Sequence, residues 1–73
     1  MSGLIKRSFT LAGHRTSIAL EAEFWDALVR LADRRGQSLS ALIAAADAGR
    51  EPASQLASVL RVMALVTSEE RRT

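Results

Sequence analysis

The chain has 73 residues, with ten Lys plus Arg against eight Asp plus Glu, a single His and no Cys. That length allows one domain at most, and a domain so small usually needs a disulfide, a metal or a partner chain to be stable. The missing Cys removes disulfides and thiolate metal sites, and one His (His14) makes a His-based metal cluster a poor expectation. A partner chain or an unusually good helical core is left, and an apolar content of 48% suits a chain that shares its core. The longest apolar runs, Leu42 to Ala46 and Val62 to Val66, fall far short of the ~20 residues that a membrane span needs. The basic start is not followed by an apolar segment, so no secretory signal is expected, and cytoplasmic is the default location.

Charge is unevenly placed. Residues 1–20 carry Lys6, Arg7 and Arg15 with no acid, while residues 21–73 carry seven Arg and eight acids. A basic segment ahead of a balanced helical body is a layout for binding a polyanion, although a solvated tail has the same look. Nine of the ten cations are Arg, whose planar fork matches phosphate and guanine edges.

Residues 6–20 read as extended. Phe9 and Leu11 alternate with Ser8, Thr10 and Ala12; after Gly13, Thr16, Ile18 and Leu20 share one face while Arg15, Ser17 and Ala19 share the other. Gly13 marks a bulge or the tip of a turn, so the stretch is either one kinked strand or a small hairpin. A first helix is expected from about Ala22 to Arg35, with Phe24, Leu28 and Leu31 on its apolar stripe, acids in its first turns and Arg34 and Arg35 in its last. Trp25 lies off that stripe and is assigned to a rim or a partner surface. Gly36 stops the helix. Ser38 then caps a second helix, Leu39 to Ala48, whose stripe is Leu39, Leu42, Ile43 and Ala46. Residues 49–53 form a linker in which Pro52 suits the first turn of a third helix, expected from about Ala53 to Thr67. Leu56, Val59, Leu60 and Met63 make one stripe there, and Val62, Leu65 and Val66 widen it beyond what a surface helix on a small monomer needs. The chain therefore divides into a basic arm (1–13, extended or hairpin), a core (14–48), a linker (49–53), a C-terminal helix (54–67) and a polar tail (68–73), expected to fray.

A strand cannot satisfy its own backbone hydrogen bonds. Residues 6–20 solve this alone if they form a hairpin. If the strand is Arg15 to Leu20 only, a second copy must pair with it across a two-fold axis, and the resulting two-stranded ribbon fits the DNA major groove.

The ordered combination Arg-Thr-Ser-Ile-Ala-Leu (15–20), an acidic helix start, Phe24-Trp25-x-x-Leu28, Gly36-x-Ser38 and Leu39-x-x-Leu42-Ile43 resembles the ribbon-helix-helix family of bacterial and phage DNA-binding proteins. It is most similar to a subgroup of short bacterial proteins with Ala-Gly-His-Arg-Thr-Ser-Ile (12–18), Glu-Phe-Trp (23–25) and a third helix like Leu56-Ala57-Ser58-x-Leu60-Arg61-Val62. The resemblance covers roughly residues 6–66. It implies a mostly α fold with one short N-terminal β-strand, an intertwined homodimer with an intermolecular antiparallel ribbon, and an extra C-terminal helix. It implies that Arg15, Ser17 and Ala19 read bases, and that Ser38 and Leu39 clamp a phosphate through the free amides of a helix N-terminus. Lys6 and Arg7 are added as phosphate contacts. The dimer core is expected from Thr16, Ile18, Leu20, Phe24, Leu28, Leu31, Leu39, Leu42, Ile43, Leu56, Leu60 and Met63.

This sequence departs from the family in two ways. Arg15 is the one long reader on the strand, so Lys6, Arg7, Ser8, Thr10 and His14 are candidates for added contacts. The third helix is absent from the minimal fold and could close the dimer, build a tetramer or receive another protein. Arg61, on an otherwise apolar helix, needs a carboxylate or carbonyl partner if it is buried, and Glu51 and Asp47 are candidates.

An enzyme is not expected. The chain has no Cys and no Tyr, no acid near His14 in sequence and no Gly-rich phosphate loop, and it offers little room for a pocket. No cofactor, metal, membrane or small-molecule substrate is expected. The leading expectation is a sequence-specific double-stranded DNA-binding protein acting as a transcriptional repressor. An antitoxin-like partner module, or a structural oligomer that has lost DNA binding, stands beside it.

Overall fold

The computed structural model describes residues 3–51 and 55–72, with side chains as far as Thr67. Two strands, β1 (Leu4–Leu11) and β2 (His14–Glu21), are followed by three helices, α1 (Ala22–Arg34), α2 (Leu39–Gly49) and α3 (Leu56–Arg72). The strand count is therefore two and not one. β1 pairs antiparallel with β2, from Leu11 opposite His14 to Leu4 opposite Glu21. The strand of residues 15–20 does not need a second copy to pair, because its own chain supplies a neighbour. The turn explains why. Ala12 and Gly13 both have positive φ, +51° and +81°. Two such residues make the tight turn whose twist matches that of a right-twisted hairpin. A turn two residues long then fixes the register by itself.

Opposed residues in the ladder share a face. The inner face carries Phe9, Leu11, Ile18 and Leu20, all buried, and the helices pack against it. Trp25 belongs to that core and not to a rim: it is 1% exposed, stacks at 5.9 Å from Phe9, and its indole N–H donates to the Ile5 carbonyl at 2.8 Å. The helix is rotated so that Trp25, Leu28, Leu31 and Ala32 are buried, leaving Phe24 half-buried. A sequence stripe alone does not show this rotation, because the sheet that β1 completes is what decides which helix face is inside.

The α1 helix ends in a Schellman closure. Gly36, at φ +66°, lets its own amide reach Asp33 O while Gln37 N reaches Ala32 O, so the last carbonyls are satisfied. Ser38 opens α2, with its Oγ accepting from Ala41 N at 3.0 Å. Leu42, Ile43 and Ala46 then enter the core.

From α3, Leu60 and Ala64 enter the same core. Of the residues expected to build a dimer core, Ile18, Leu20, Leu28, Leu31, Leu42, Ile43 and Leu60 are buried within one chain; Phe24, Leu39, Leu56 and Met63 are partly buried, and Thr16 is half-exposed. The second apolar stripe of α3 stays in solvent, with Val62 60%, Leu65 57% and Val66 50% exposed.

Arg61 pairs with neither Glu51 nor Asp47. Its guanidinium holds Glu21 Oε1 at 3.0 Å, while Asp47 takes Arg50 at 2.9 Å. The Glu21 partner lies forty residues away and is brought there by the packing of α3 beside the end of β2. The expected polar tail is instead helical to Arg72. Residues 68–72 (Ser-Glu-Glu-Arg-Arg) contain no Gly or Pro to stop the helix, and cations at a helix C-terminus suit its dipole. Pro52, assigned to the first turn of the third helix, lies outside the described residues. Among the described residues, no helix is long and apolar enough to cross a membrane.

Candidate nucleic-acid interface

The outer face of the hairpin is built by the same alternation that builds the core. Lys6, Ser8 and Thr10 from β1 stand opposite Ala19, Ser17 and Arg15 from β2. Five of these side chains are exposed, and Ala19 is half-exposed. Two contacts cross the face. Arg15 Nη1 donates to Thr10 Oγ1 at 3.4 Å, and the hydroxyls of Ser8 and Ser17 lie 3.3 Å apart. From Lys6 to Thr10 and from Arg15 to Ala19 the strip has two cations and no acid. Its one acid, Glu21, sits at the end of the strand and is engaged by Arg61.

Arg15, Ser17 and Ala19 are therefore together on one open surface, and Lys6 joins them. Arg7 points to the opposite side: its guanidinium lies over the Trp25 ring at 5.3 Å, where it shields the edge of the core. Strand alternation requires the separation, since Lys6 and Arg7 are consecutive. His14 is exposed at the start of β2, opposite Leu11. Ser38 and Leu39 sit at the start of α2, where the Ser38 oxygen serves the helix's own third amide. That leaves the earlier amides of the first turn without an intrahelical partner.

Glu21 and Arg61 close the end of the sheet. The Glu21 carboxyl is held below its ordinary value chiefly by a hydrogen bond from its own backbone amide; burial opposes this, and the hydrogen bond and charge of Arg61 add to the lowering. Arg61 also lies over the Phe24 ring at 5.8 Å. This half-buried cluster ties β2, α1 and α3 at one corner.

Ser8 and Thr10 enter the surface as direct neighbours of the readers, a role that reading β2 by itself does not give them. The signal was the pair Ala12-Gly13 flanked by alternating segments: once these two residues are the whole turn, Thr10 must face Arg15 and Ser8 must face Ser17. Among the described residues, no group of three His, Cys, Asp or Glu side chains is placed to hold a metal ion. A cleft of about 240 Å³ lies between α1 and α3, lined by Glu23, Phe24, Ala27, Arg30, Ala64 and Leu65.

A hairpin with a basic, hydroxyl-rich outer face, set on a core of short helices, defines the architecture. The model of the ribbon-helix-helix domain matches residues 4–67, which takes in both strands, α1, α2 and most of α3. The chain belongs to the ribbon-helix-helix family. Domains of this family are generally DNA-binding transcription regulators that form dimers, and they are typically not enzymes. No curated protein and no solved structure matches the chain.

Proposed function

We propose that this protein is a sequence-specific double-stranded DNA-binding repressor that acts as a homodimer and presents the outer face of β2 to the major groove. The observation that carries the reading is the exposed, acid-free strip of Lys6, Ser8, Thr10, Arg15 and Ser17 on a domain of a DNA-binding family. Arg15 is the principal base reader. Its guanidinium forms two parallel bonds to a guanine edge, while Ser17 accepts or donates and Ala19 touches a thymine methyl. The amides at Ser38 and Leu39 hold a backbone phosphate, and Lys6 supplies further positive charge on the outer face, whereas Arg7 lies over Trp25 on the other side of the sheet. Repression follows from occupying a promoter.

The dimer uses the remaining edge of β2. The tight turn makes Leu11 and His14 the first hydrogen-bonded pair, and pairing alternates from there. Arg15, Ser17 and Ala19 therefore direct their backbone N–H and C=O groups to the open edge. A second β2 running antiparallel satisfies them about a two-fold axis.

The test is selection of bound sequences from random duplex DNA at moderate salt. Enrichment of an inverted repeat, with affinity that falls steeply as salt rises, is expected. Retention of all duplexes alike, or of none, contradicts the reading.

One observation favours a second reading. Val62, Leu65 and Val66 on α3 are exposed together, as on a helix that receives another protein. On that reading the chain is an antitoxin-like module whose DNA binding is autoregulatory. A partner of different sequence that co-purifies stoichiometrically and is lost on Leu65→Lys would favour it.

A further inference from the structure

Resting on the DNA-binding reading above, we infer that β1 is a working part of the recognition surface: it is the outer strand of a four-stranded sheet in which Thr10 positions the Arg15 guanidinium and Lys6 meets the phosphate backbone.

The first support is width. The hairpin gives each chain two strands, and a dimer joined along β2 has the order β1, β2, β2, β1. Neighbouring strands lie about 4.8 Å apart, so the two outer strands are about 14 Å from each other, axis to axis. The major groove is about 12 Å wide. The central pair fits within it, and the outer strands lie over its walls, where the phosphates are. The face of β1 turned to those walls carries Lys6, Ser8 and Thr10, with no acid among them.

The second support is the pairing across the hairpin. Arg15 has four rotatable side-chain bonds and is exposed, so orienting it on binding costs conformational entropy. Thr10 Oγ1 accepts from Arg15 Nη1 at 3.4 Å, which biases the guanidinium before DNA arrives. Thr10 is β-branched and stiff at χ1, so it is a firmer support than a flexible polar residue in its place. Lys6 has a different neighbour. It stands opposite Ala19, whose methyl group leaves the ammonium unobstructed and without a paired acid across the ladder. A two-fold axis through Ser17 sets Arg15 of one copy against Ala19 of the other, so reader and anchor fall in one row across the sheet. Centring the axis on Ile18 instead sets Arg15 against Glu21, whose carboxylate Arg61 already holds.

Thr10 and Lys6 therefore have separable roles, one acting on sequence preference and the other on general affinity. The experiment takes the full chain with Thr10→Val, Thr10→Ser and Lys6→Gln. Each is carried through selection on a random duplex library, followed by salt titration of binding to the wild-type selected duplex and to an unrelated duplex. Thr10→Val keeps the β-branched shape and is expected to lose about tenfold in affinity for the selected duplex, with affinity for the unrelated one and the salt slope unchanged. That loss is within the range of one base-reading pair. Thr10→Ser, which restores the hydroxyl, is expected to recover most of it, a rescue that a packing role would not give. Lys6→Gln is expected to weaken binding to both duplexes alike and to flatten the salt dependence by about two phosphates per dimer, at about 0.9 in slope for each. Thermal unfolding of each variant confirms that the fold is retained. Wild-type selectivity, affinity and salt slope in both Thr10→Val and Lys6→Gln would make β1 a structural strand only and overturn the inference. A wild-type chain that binds no duplex even at low salt would overturn the DNA-binding reading itself, a result distinct from the first.

Discussion

The indole N–H of Trp25 donates to the backbone carbonyl of Ile5 at 2.8 Å, pinning the first helix to the first strand across twenty residues of sequence. Arg7, from the same strand, lies over the outer face of the ring, and Phe9 stacks beside it. The outer strand is thus held by a side chain of α1 as well as by its ladder to β2. Trp25→Phe keeps an aromatic ring but removes the donor and part of the volume. It is expected to cost about 1–3 kcal/mol, measured by urea unfolding. Trp25→Ala also leaves a cavity and is expected to cost about 3–5 kcal/mol. A Trp25→Phe variant as stable as the parent would remove this bond from the account of how β1 is held.

The turn carries strain that can be relieved. Ala12 sits at φ +51°, a left-handed conformation that costs an L-residue with a Cβ about 1–2 kcal/mol. Asn adopts that conformation more readily, and Gly without steric cost. Ala12→Asn is therefore expected to raise stability by about 1 kcal/mol, seen as a rise of about 4–8 °C in Tm for a domain of this size. A fall in Tm would mean that the turn is not of this type.

Glu21 gives the hairpin end a pH dependence. Its folded-state pKa lies below the ordinary carboxylate value of 4.5, because its own backbone amide and Arg61 favour the charged form. A group of this kind stabilises the fold above its unfolded pKa, and the contribution is lost as pH falls through the lower folded value. Glu21→Gln is expected to be less stable than the parent at pH 7, with the gap narrowing as pH falls below about 4.5. A gap that stays constant down to acid pH would show that the ion pair contributes nothing. Raised salt is expected to shrink the difference at pH 7, since the pair is partly exposed.

Ser38 has two roles that substitution can separate. As the cap of α2 it is expected to cost about 1 kcal/mol on replacement by Ala. Ser38→Asp retains the cap and the favourable charge at the helix start, so stability is expected to hold. On the proposed phosphate clamp, that same carboxylate repels DNA. Ser38→Asp should then bind duplexes more weakly than Ser38→Ala, despite being the more stable variant. The reverse order of affinities would leave Ser38 as a cap alone.

How far the sequence foretold this structure depended on the range of the interaction. The helices were legible because their signals are local: Glu21 and Glu23 flanking Ala22, Gly36 at the stop, and Ser38 at the next start. The outer face of β2 was legible for the same reason, since alternation alone separates Arg15, Ser17 and Ala19 from Ile18 and Leu20. What β1 does was not settled, because Gly13 suits a bulge as well as a turn, and only pairing across the chain decides between them. The burial of Trp25 followed from that unsettled point. With no sheet assigned above α1, Phe24 is the better guess for the inner position, and placing Phe9 and Ile5 beside the helix reverses it. Arg61 shows the limit most plainly, as its partner Glu21 was not among the acids near it in sequence.

The central claim is that the outward side chains of β2 read DNA, and Arg15 is its sharpest test. Fluorescence anisotropy on the duplex selected by the wild-type chain, at fixed moderate salt, measures it directly. Arg15→Ala is expected to weaken binding to that duplex by roughly 1–3 kcal/mol and to lose most of the preference over an unrelated duplex. Equal affinity and equal preference in the variant and the parent would contradict the account.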